Sequence, residues 1–383
     1  MARQFASALV GLGLLAGAAL GQDAALGEAG KDAKGFYIKQ GDTRLNINGH
    51  FQFRYFLNFR DEDAVGDQND FTNGFGFRRV RLGASGQLTK ELGYTIQGDF
   101  LNGETFKLYD AYAWYKFSDS ATLKFGQLFK LPVLKEELNS HLALQAVDRS
   151  TVNAVFTPNY SQGVQLDLAG DSVRGSFAVS DGFNALNSDI TSAAEADFAL
   201  SARGEWKWAG EWKQYDQFTS WKEAEYAGFL GAAVHYQSGG ETGGTLDRDI
   251  FQYTADVSVK GDGWNVFAYG VGRRVEEPGA DYDDFGALIQ GGLFVSNQVE
   301  LFARYGIVMP DDDRANGDDF AEATIGANYY LFPKSQAAKF SVDGTYAFDN
   351  TTDSIVSQRA TDGFLTDAEE GEVYIRAQVQ IVF

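Results

Sequence analysis

From Leu45 to Phe59 the chain alternates almost without a break. Leu45, Ile47, Phe51, Phe53, Tyr55, Leu57 and Phe59 occupy odd positions, while Asn46, Asn48, His50, Gln52, Arg54 and Asn58 occupy even ones. A period of two marks an extended strand with one apolar and one polar face. Ordinary strands need only about 5–6 residues, whereas a tilted strand that crosses a bilayer needs about 9–11. The same alternation returns at 251–259 and 339–348 and closes the chain from Val373 to Phe383. Extended to the whole chain, it predicts strands over 45–59, 75–87, 93–101, 107–117, 121–128, 159–168, 173–180 and 196–208. The second half adds 226–236, 250–260, 264–274, 284–294, 298–308, 320–332, 337–348 and 372–383. The count of sixteen is even, as an antiparallel sheet that closes on itself requires. The expected fold is therefore all-β: a single 16-stranded antiparallel transmembrane β-barrel.

Composition supports this reading. The chain has 44 glycines, 31 phenylalanines and 18 tyrosines against 5 prolines, which suits many strands and turns. The mean hydropathy of −0.27 argues against a helical membrane protein but not against a barrel, whose polar inner face dilutes its apolar outer one. Cysteine is absent, so neither a disulfide framework nor a thiolate metal site is available. At the N-terminus, Arg3 precedes the apolar run Ala8–Ala16 and the small-residue pattern Ala19-Leu20-Gly21 before Gln22, which reads as a secretory signal peptide over 1–21. Residues 22–43 are expected to be a flexible periplasmic lead-in, and 44–383 the barrel.

Connection lengths give a second test, because such barrels alternate short turns with long loops. With the N-terminus placed in the periplasm, the short turns fall after even-numbered strands: 118–120, 169–172, 261–263 and 333–336. The segment 209–225, with Trp212, Tyr215 and Trp221, is too long for that side and has no account at this level. The connections 61–73, 275–284, 309–319 and 349–370 carry twenty-one Asp or Glu against Arg314 and Arg359. They are expected to be solvated, acidic external loops. The run Asp311–Asp318 does not hold the register of a calcium loop, which fails at Arg314.

Three stretches match a known family: Phe77-Arg78-Arg79-Val80-Arg81-Leu82-Gly83, Leu108-Tyr109-Asp110-Ala111-Tyr112-Ala113-Trp114-Tyr115-Lys116-Phe117, and Leu123-Lys124-Phe125-Gly126-Gln127-Leu128-Phe129-Lys130. With Glu136-Glu137-Leu138, Asp148-Arg149-Ser150 and Phe156-Thr157-Pro158, they resemble the phosphate-selective porin O and P family over about 75–165. The resemblance implies a homotrimeric outer-membrane porin that passes small hydrophilic solutes or inorganic anions such as phosphate. It also implies a third extracellular loop, here 129–158, folded inward as a constriction. Independently, that segment is the longest connection, and Leu131, Val133, Leu134, Leu138, Leu142, Leu144, Val147 and Val152 would be out of place on a solvated loop. Where the family often carries a basic residue before a glycine of the next strand, this chain has Asn159-Tyr160-Ser161-Gln162-Gly163.

A pore selects by its narrowest diameter and by the charges that line it. Strand parity sends Arg54, Arg79, Arg81, Lys124, Arg304 and Arg376 inward, together with Asp99 and Asp110, and the inward loop adds Lys130, Lys135 and Arg149. Over all strands, thirteen basic groups face ten acidic ones, which leaves anion selectivity open. The alternatives are a non-specific or cation- or sugar-preferring porin, or a secreted β-rich binding or adhesion protein. His50, His141 and His235 lie in different elements with no nucleophile or acid at a telling spacing, so no catalytic site is expected. No metal, cofactor or nucleic-acid partner is expected, and the lipid of the outer membrane is the medium.

Overall fold

The computed structural model describes residues 27–32, 35–60, 71–101, 106–128, 130–193, 195–241 and 247–383. The proposed signal peptide and most of the connection 61–73 lie outside them. The strands are β1 (Glu28–Asp32), β2 (Gly35–Gln40), β3 (Thr43–Phe59), β4 (Phe71–Gln87), β5 (Leu92–Asp99), β6 (Lys107–Ser118), β7 (Ala121–Leu128), β8 (Ser161–Ala169) and β9 (Val173–Ser180). They continue as β10 (Phe198–Ala209), β11 (Ala227–Ser238), β12 (Asp249–Gly261), β13 (Trp264–Glu277), β14 (Ala280–Phe294), β15 (Val299–Met309), β16 (Phe320–Tyr330), β17 (Ala338–Ala347) and β18 (Val373–Val382). Each of β3 to β18 pairs antiparallel with its neighbours in the chain, and β18 pairs with β3 from Val373↔Phe59 to Val382↔His50. Gly49 and Phe383 lock the seam, each donating its N–H to the other's carbonyl at 2.9 Å. The result is a closed sixteen-stranded barrel in which each strand from β3 to β18 is paired on both sides.

Alternation behaves as the sequence predicts on most strands. Along β12, Phe251, Tyr253 and Val257 are exposed outward, while Gln252, Thr254, Asp256 and Ser258 are buried inward. On β13, β14 and β15 both faces are apolar: Phe267, Tyr269, Val271, Leu288 and Val308 point inward and are buried. They form a core with Leu134, Leu144, Val152 and Phe156 of the connection that follows β7. Gly286 makes room for it, since a side chain there would meet Phe156 and Val152 at 2.7 and 2.8 Å.

Three expectations change. Within 22–43, β1 and β2 form a hairpin on the lower part of β3, from Phe36↔Ile47 to Gln40↔Thr43, where β18 has already ended. The segment 275–284 is not a long loop: β13 and β14 pair out to Glu277↔Ala280, and Pro278 and Gly279, the latter at φ 89°, make the turn. Arg274 holds this hairpin tip by pairing with Glu276, Asp281 and Asp283. The connection 349–370 folds into the mouth, with Val356 and Phe364 in the apolar core and Asp362 buried. Arginines inside the barrel supply partners for that carboxylate, so burial does not leave it unpaired. In the connection 309–319, Arg314 reaches back to the buried Asp284 at 2.7 Å.

The unexplained 209–225 segment folds inward at the short-turn end. Its helical turn Trp212–Tyr215 places Tyr215 flat on Phe229, with centroids 4.7 Å apart, and the Tyr215 hydroxyl bonds to Arg203 and Asp256. Phe218 packs on Phe267, and Trp221 on Phe294 and Tyr330. The Lys260 ammonium donates to the carbonyls of Gln214, Gln217 and Phe218. Trimming a buried aromatic to alanine leaves a cavity worth about 3–5 kcal/mol. Tyr215→Ala is expected to cost that much in urea unfolding of the bilayer-reconstituted protein; a change below about 0.5 kcal/mol would show that the segment is not packed as described.

Candidate functional site

The segment 130–158 occupies the lumen, and its bonds show which part of the wall it covers. Starting at β10, Arg203 and Thr254 donate to the Val133 carbonyl, and Gln252 to that of Phe156. Tyr269 donates to Glu136, Gln145 to Glu300, and Thr151 through its N–H and hydroxyl to Glu322. Lys339 reaches the Leu144 carbonyl, the Val147 N–H reaches Asp343, Gln380 reaches the Leu142 carbonyl, and Arg54 the Val147 carbonyl. The contacts therefore run from β10 round to β3, and Asp148 extends them to Arg78 and Arg79 of β4. Short helical turns at Lys135–Leu138 and Thr151–Phe156 shape the segment, the second capped by the Ser150 hydroxyl accepting from Asn153 N–H.

The wall from β4 to β9 stays open to two spaces. The first, of about 330 Å³, is lined by Arg78, Arg79, Arg81, Lys107, Lys130, Arg149 and Arg359 against Glu137, Asp148 and Asp362, with Tyr109, Tyr160 and His141. The second, of about 390 Å³, has Lys124, Lys130, Lys135, Arg174 and Arg203 against Asp167, Glu205 and Asp216. Lys130 lines both, so the two spaces are neighbours along this wall, together called the corridor below, and cations outnumber carboxylates in each.

The charge balance follows from what the segment consumes. The wall carboxylates Glu300, Glu322 and Asp343 are at most 1% exposed, and each is engaged by hydrogen bonds from the segment. Three wall carboxylates are thereby spent on anchoring the segment, while Arg78, Arg79, Arg81, Lys107, Lys124 and Arg174 remain along the corridor.

The residues singled out in the sequence fall into three groups. Arg79, Arg81, Lys124, Lys130, Lys135 and Arg149 line the corridor. Arg81 bonds to Asp99 at 3.0 Å and lies over the Tyr109 ring at 4.0 Å, and Lys124 pairs with Asp167 at 2.6 Å. Lys135 sits 3.7 Å above the Tyr215 ring. Arg149 grips the carbonyls of Glu136, Glu137 and Asn139 and the Glu137 carboxylate. Arg54, Arg304 and Arg376 also face inward but are covered: Arg54 by Asp148, Asp362 and Gln378, Arg304 by the Asp148 carbonyl, and Arg376 by Asp343. Asp99 and Asp110 are buried on the wall.

Parity missed Arg78. The register of β3 with β4 slips between Gln52 and Phe53, which pair with Arg79 and Phe77, so Arg78 is the extra residue of a bulge. A bulge resets alternation and lets Arg78 join Arg79 on the inner side, where its Nε donates to Asp148 at 2.7 Å and lies 2.8 Å from Asp362. The signal was present in the sequence: the outward apolar residues Phe77 and Val80 stand three apart, with two arginines between them. Lys107, Arg359 and Asp362 were also missed, the last two because the connection that carries them was expected in solvent.

Electrostatics in the segment follow its surroundings. Burial raises the Glu137 carboxyl, but Arg149 and Lys130 outweigh it and hold the group at about 2. Burial and Arg149 push the Lys130 ammonium down to about 7, against the pull of Glu137 at 2.9 Å. Burial raises Asp148 too, yet Arg78, Arg54 and Arg79 keep it well below the ordinary carboxylate range.

Comparison with known proteins agrees with this fold. The model of the family described as phosphate-selective porin O and P matches residues 50–201. The chain is an outer-membrane porin. Its fold is similar to that of an anion-selective porin from Comamonas acidovorans, at TM-score 0.62 and 14% identity, covering 89% of this chain and 100% of that one. OmpF of Salmonella typhi, in complex with daunomycin, gives 0.60 and 12%, covering 91% and 100%. The trimer form of Vibrio cholerae OmpT gives 0.57 and 12%, covering 90% and 100%. No curated protein matches the chain. The porin's outward aromatic residues face lipid, and its lumen holds a water-filled diffusion channel.

Two substitutions separate selectivity from stability in this porin. Arg78→Gln removes a corridor charge and is expected to lower the anion-to-cation permeability ratio by roughly twofold or more. Arg376→Gln breaks a sealed pair, an event that costs about 3–5 kcal/mol, and should destabilise the barrel without moving that ratio. Reversal potentials and urea unfolding of both variants test the assignment, and equal effects on selectivity would refute it.

Proposed function

We propose that this porin is an anion-preferring diffusion channel for small hydrophilic solutes, with residues 130–158 as its constriction and a homotrimer as its working form. The observation that carries the reading is the unequal use of charge in the lumen. The segment ties up Glu300, Glu322 and Asp343 and leaves a corridor with seven cationic side chains and three carboxylates in its wider-charged part. A solute traversing that corridor exchanges part of its hydration shell for guanidinium and ammonium donors, which favours anions. The overall acidity of the chain has no bearing on this, because exposed loop charges more than about 8–10 Å from the path are screened at physiological salt.

The trimer rests on similarity: the Vibrio cholerae OmpT structure is described as a trimer form. The long-connection end is taken as external and the short-turn end as periplasmic, as in other bacterial outer-membrane barrels. Catalysis is not part of the reading. The Ser201 hydroxyl and His235 Nδ1 are 2.8 Å apart, but His235 is stacked under Phe183 at 4.1 Å and bonds onward to Gln237, so the pair is a buried wall contact. His50 and His141 likewise meet each other, Nε2 to Nε2 at 2.8 Å.

Planar-bilayer reversal potentials across a potassium chloride gradient decide the matter. Their sign should report chloride over potassium. The preference should weaken as pH rises through about 7, where Lys130 loses its charge, and Lys130→Gln should remove that pH dependence. Potassium preference in the wild type would overturn the proposal.

A further inference from the structure

The cluster at the top of the corridor contains more than a row of cations. Asp148 Oδ2 accepts from Arg54 Nη2 at 2.7 Å and from Arg78 Nε at 2.7 Å, and its Oδ1 lies 3.6 Å from Arg79 Nη2. Asp362, from the connection that folds into the mouth, adds its Oδ1 at 2.8 Å from Arg78 and 3.3 Å from Arg54. Two carboxylates from two different segments thus sit side by side on one set of guanidinium groups. Carboxylate and phosphate oxygens satisfy a guanidinium fork in the same way. The space beside them, about 330 Å³, is large enough for an oxyanion and several waters at roughly 30 Å³ per water.

We propose that Asp148 is a specificity-determining residue that acts as a tethered anion. It fills the position where a free oxyanion would be held most tightly, and it keeps this porin a fast, weakly binding anion path. The proposal rests on the anion-channel reading and deepens it by naming the residue that sets the affinity of the corridor. Conduction requires a site that attracts an ion without trapping it. Three converging arginines in a narrow lumen would trap a multivalent oxyanion. With Asp148 and Asp362 in place, the three arginines Arg54, Arg78 and Arg79 carry two compensating charges; without Asp148 they carry one.

The residue is built to stay in place. Its Oδ1 also accepts the N–H of Arg149 at 2.9 Å, and its carbonyl accepts from Arg304, so main chain and side chain are both fixed. Asp362 is held differently, by Arg359 at 3.2 Å within its own short turn, and is the weaker of the two tethered carboxylates.

The test is block of the chloride current by inorganic phosphate, measured on single channels of the full-length porin in planar bilayers. Asp148→Asn keeps the side-chain shape and is expected to lower the half-blocking phosphate concentration at least about tenfold. Tenfold corresponds to 1.4 kcal/mol, the worth of one hydrogen bond to a charged group. Asp362→Asn should shift it in the same direction by less, and Arg78→Gln in the opposite direction. An unchanged phosphate block in Asp148→Asn overturns the proposal. Should that variant not insert, Asp362→Asn decides, and an unchanged value there overturns it as well. A wild type that prefers potassium would instead defeat the anion-channel reading itself, so the two failures are distinguishable.

Discussion

Arg54, Arg78 and Arg79 converge on the carboxylate of Asp148, and the division of the lumen follows from that convergence. A charge held away from bulk water is tolerated only when paired and hydrogen-bonded. Barrel closure turns the polar face of most strands inward, so this chain must pair many charges in a confined space. It does so with one connection, 130–158, whose backbone and side chains supply donors and acceptors to most of the wall from β10 round to β3. Pairing is thereby completed on one side, and the other side is left open.

That asymmetry explains how an acidic protein can present a basic wall inside its lumen. The carboxylates of β15, β16 and β17 anchor the segment, while Arg79, Arg81, Lys107, Lys124 and Arg174, on β4, β6, β7 and β9, face the corridor. The apolar patch formed by Phe267, Val271, Leu288 and Val308 reinforces the arrangement by seating Val152 and Phe156 on the same covered side. At the short-turn end, the 209–225 segment packs against the same sector through Tyr215, Phe218 and Trp221. Both inward segments therefore rest mainly on the wall from β10 to β3, and reach the other side at β4 through Arg78 and Arg79 and at β9 through Arg174.

Most of the barrel was legible in the sequence because period two is a direct consequence of strand geometry; strand ends moved by only a few residues. Legibility failed where a local device or a tertiary partner overrode the pattern. The bulge at Arg78 shifted a key cation across the parity rule. Pro278 and Gly279 turned an acidic stretch into a hairpin tip, a signal present but outweighed by the charges around it. The connection 349–370 looked solvated by its carboxylates, yet Val356, Phe364 and the pairing of Asp362 draw it inward. The double apolar face of β13, read simply as strand, was the mark of a wall that something must cover. Which inward arginines are covered and which line the path was not legible at all, because that depends on where one distant segment lies.

The central claim is that solutes pass along β4–β9 and not along the covered wall. The chain has no native cysteine, so single cysteines report cleanly when treated with a sulfonate-bearing thiol reagent during single-channel recording. Cysteine at Lys107 or Arg174 is predicted to react and to reduce the chloride conductance, while cysteine at Asn328 or Gln380 stays silent. Reaction at Asn328 and Gln380 with silence at Lys107 and Arg174 would contradict the account.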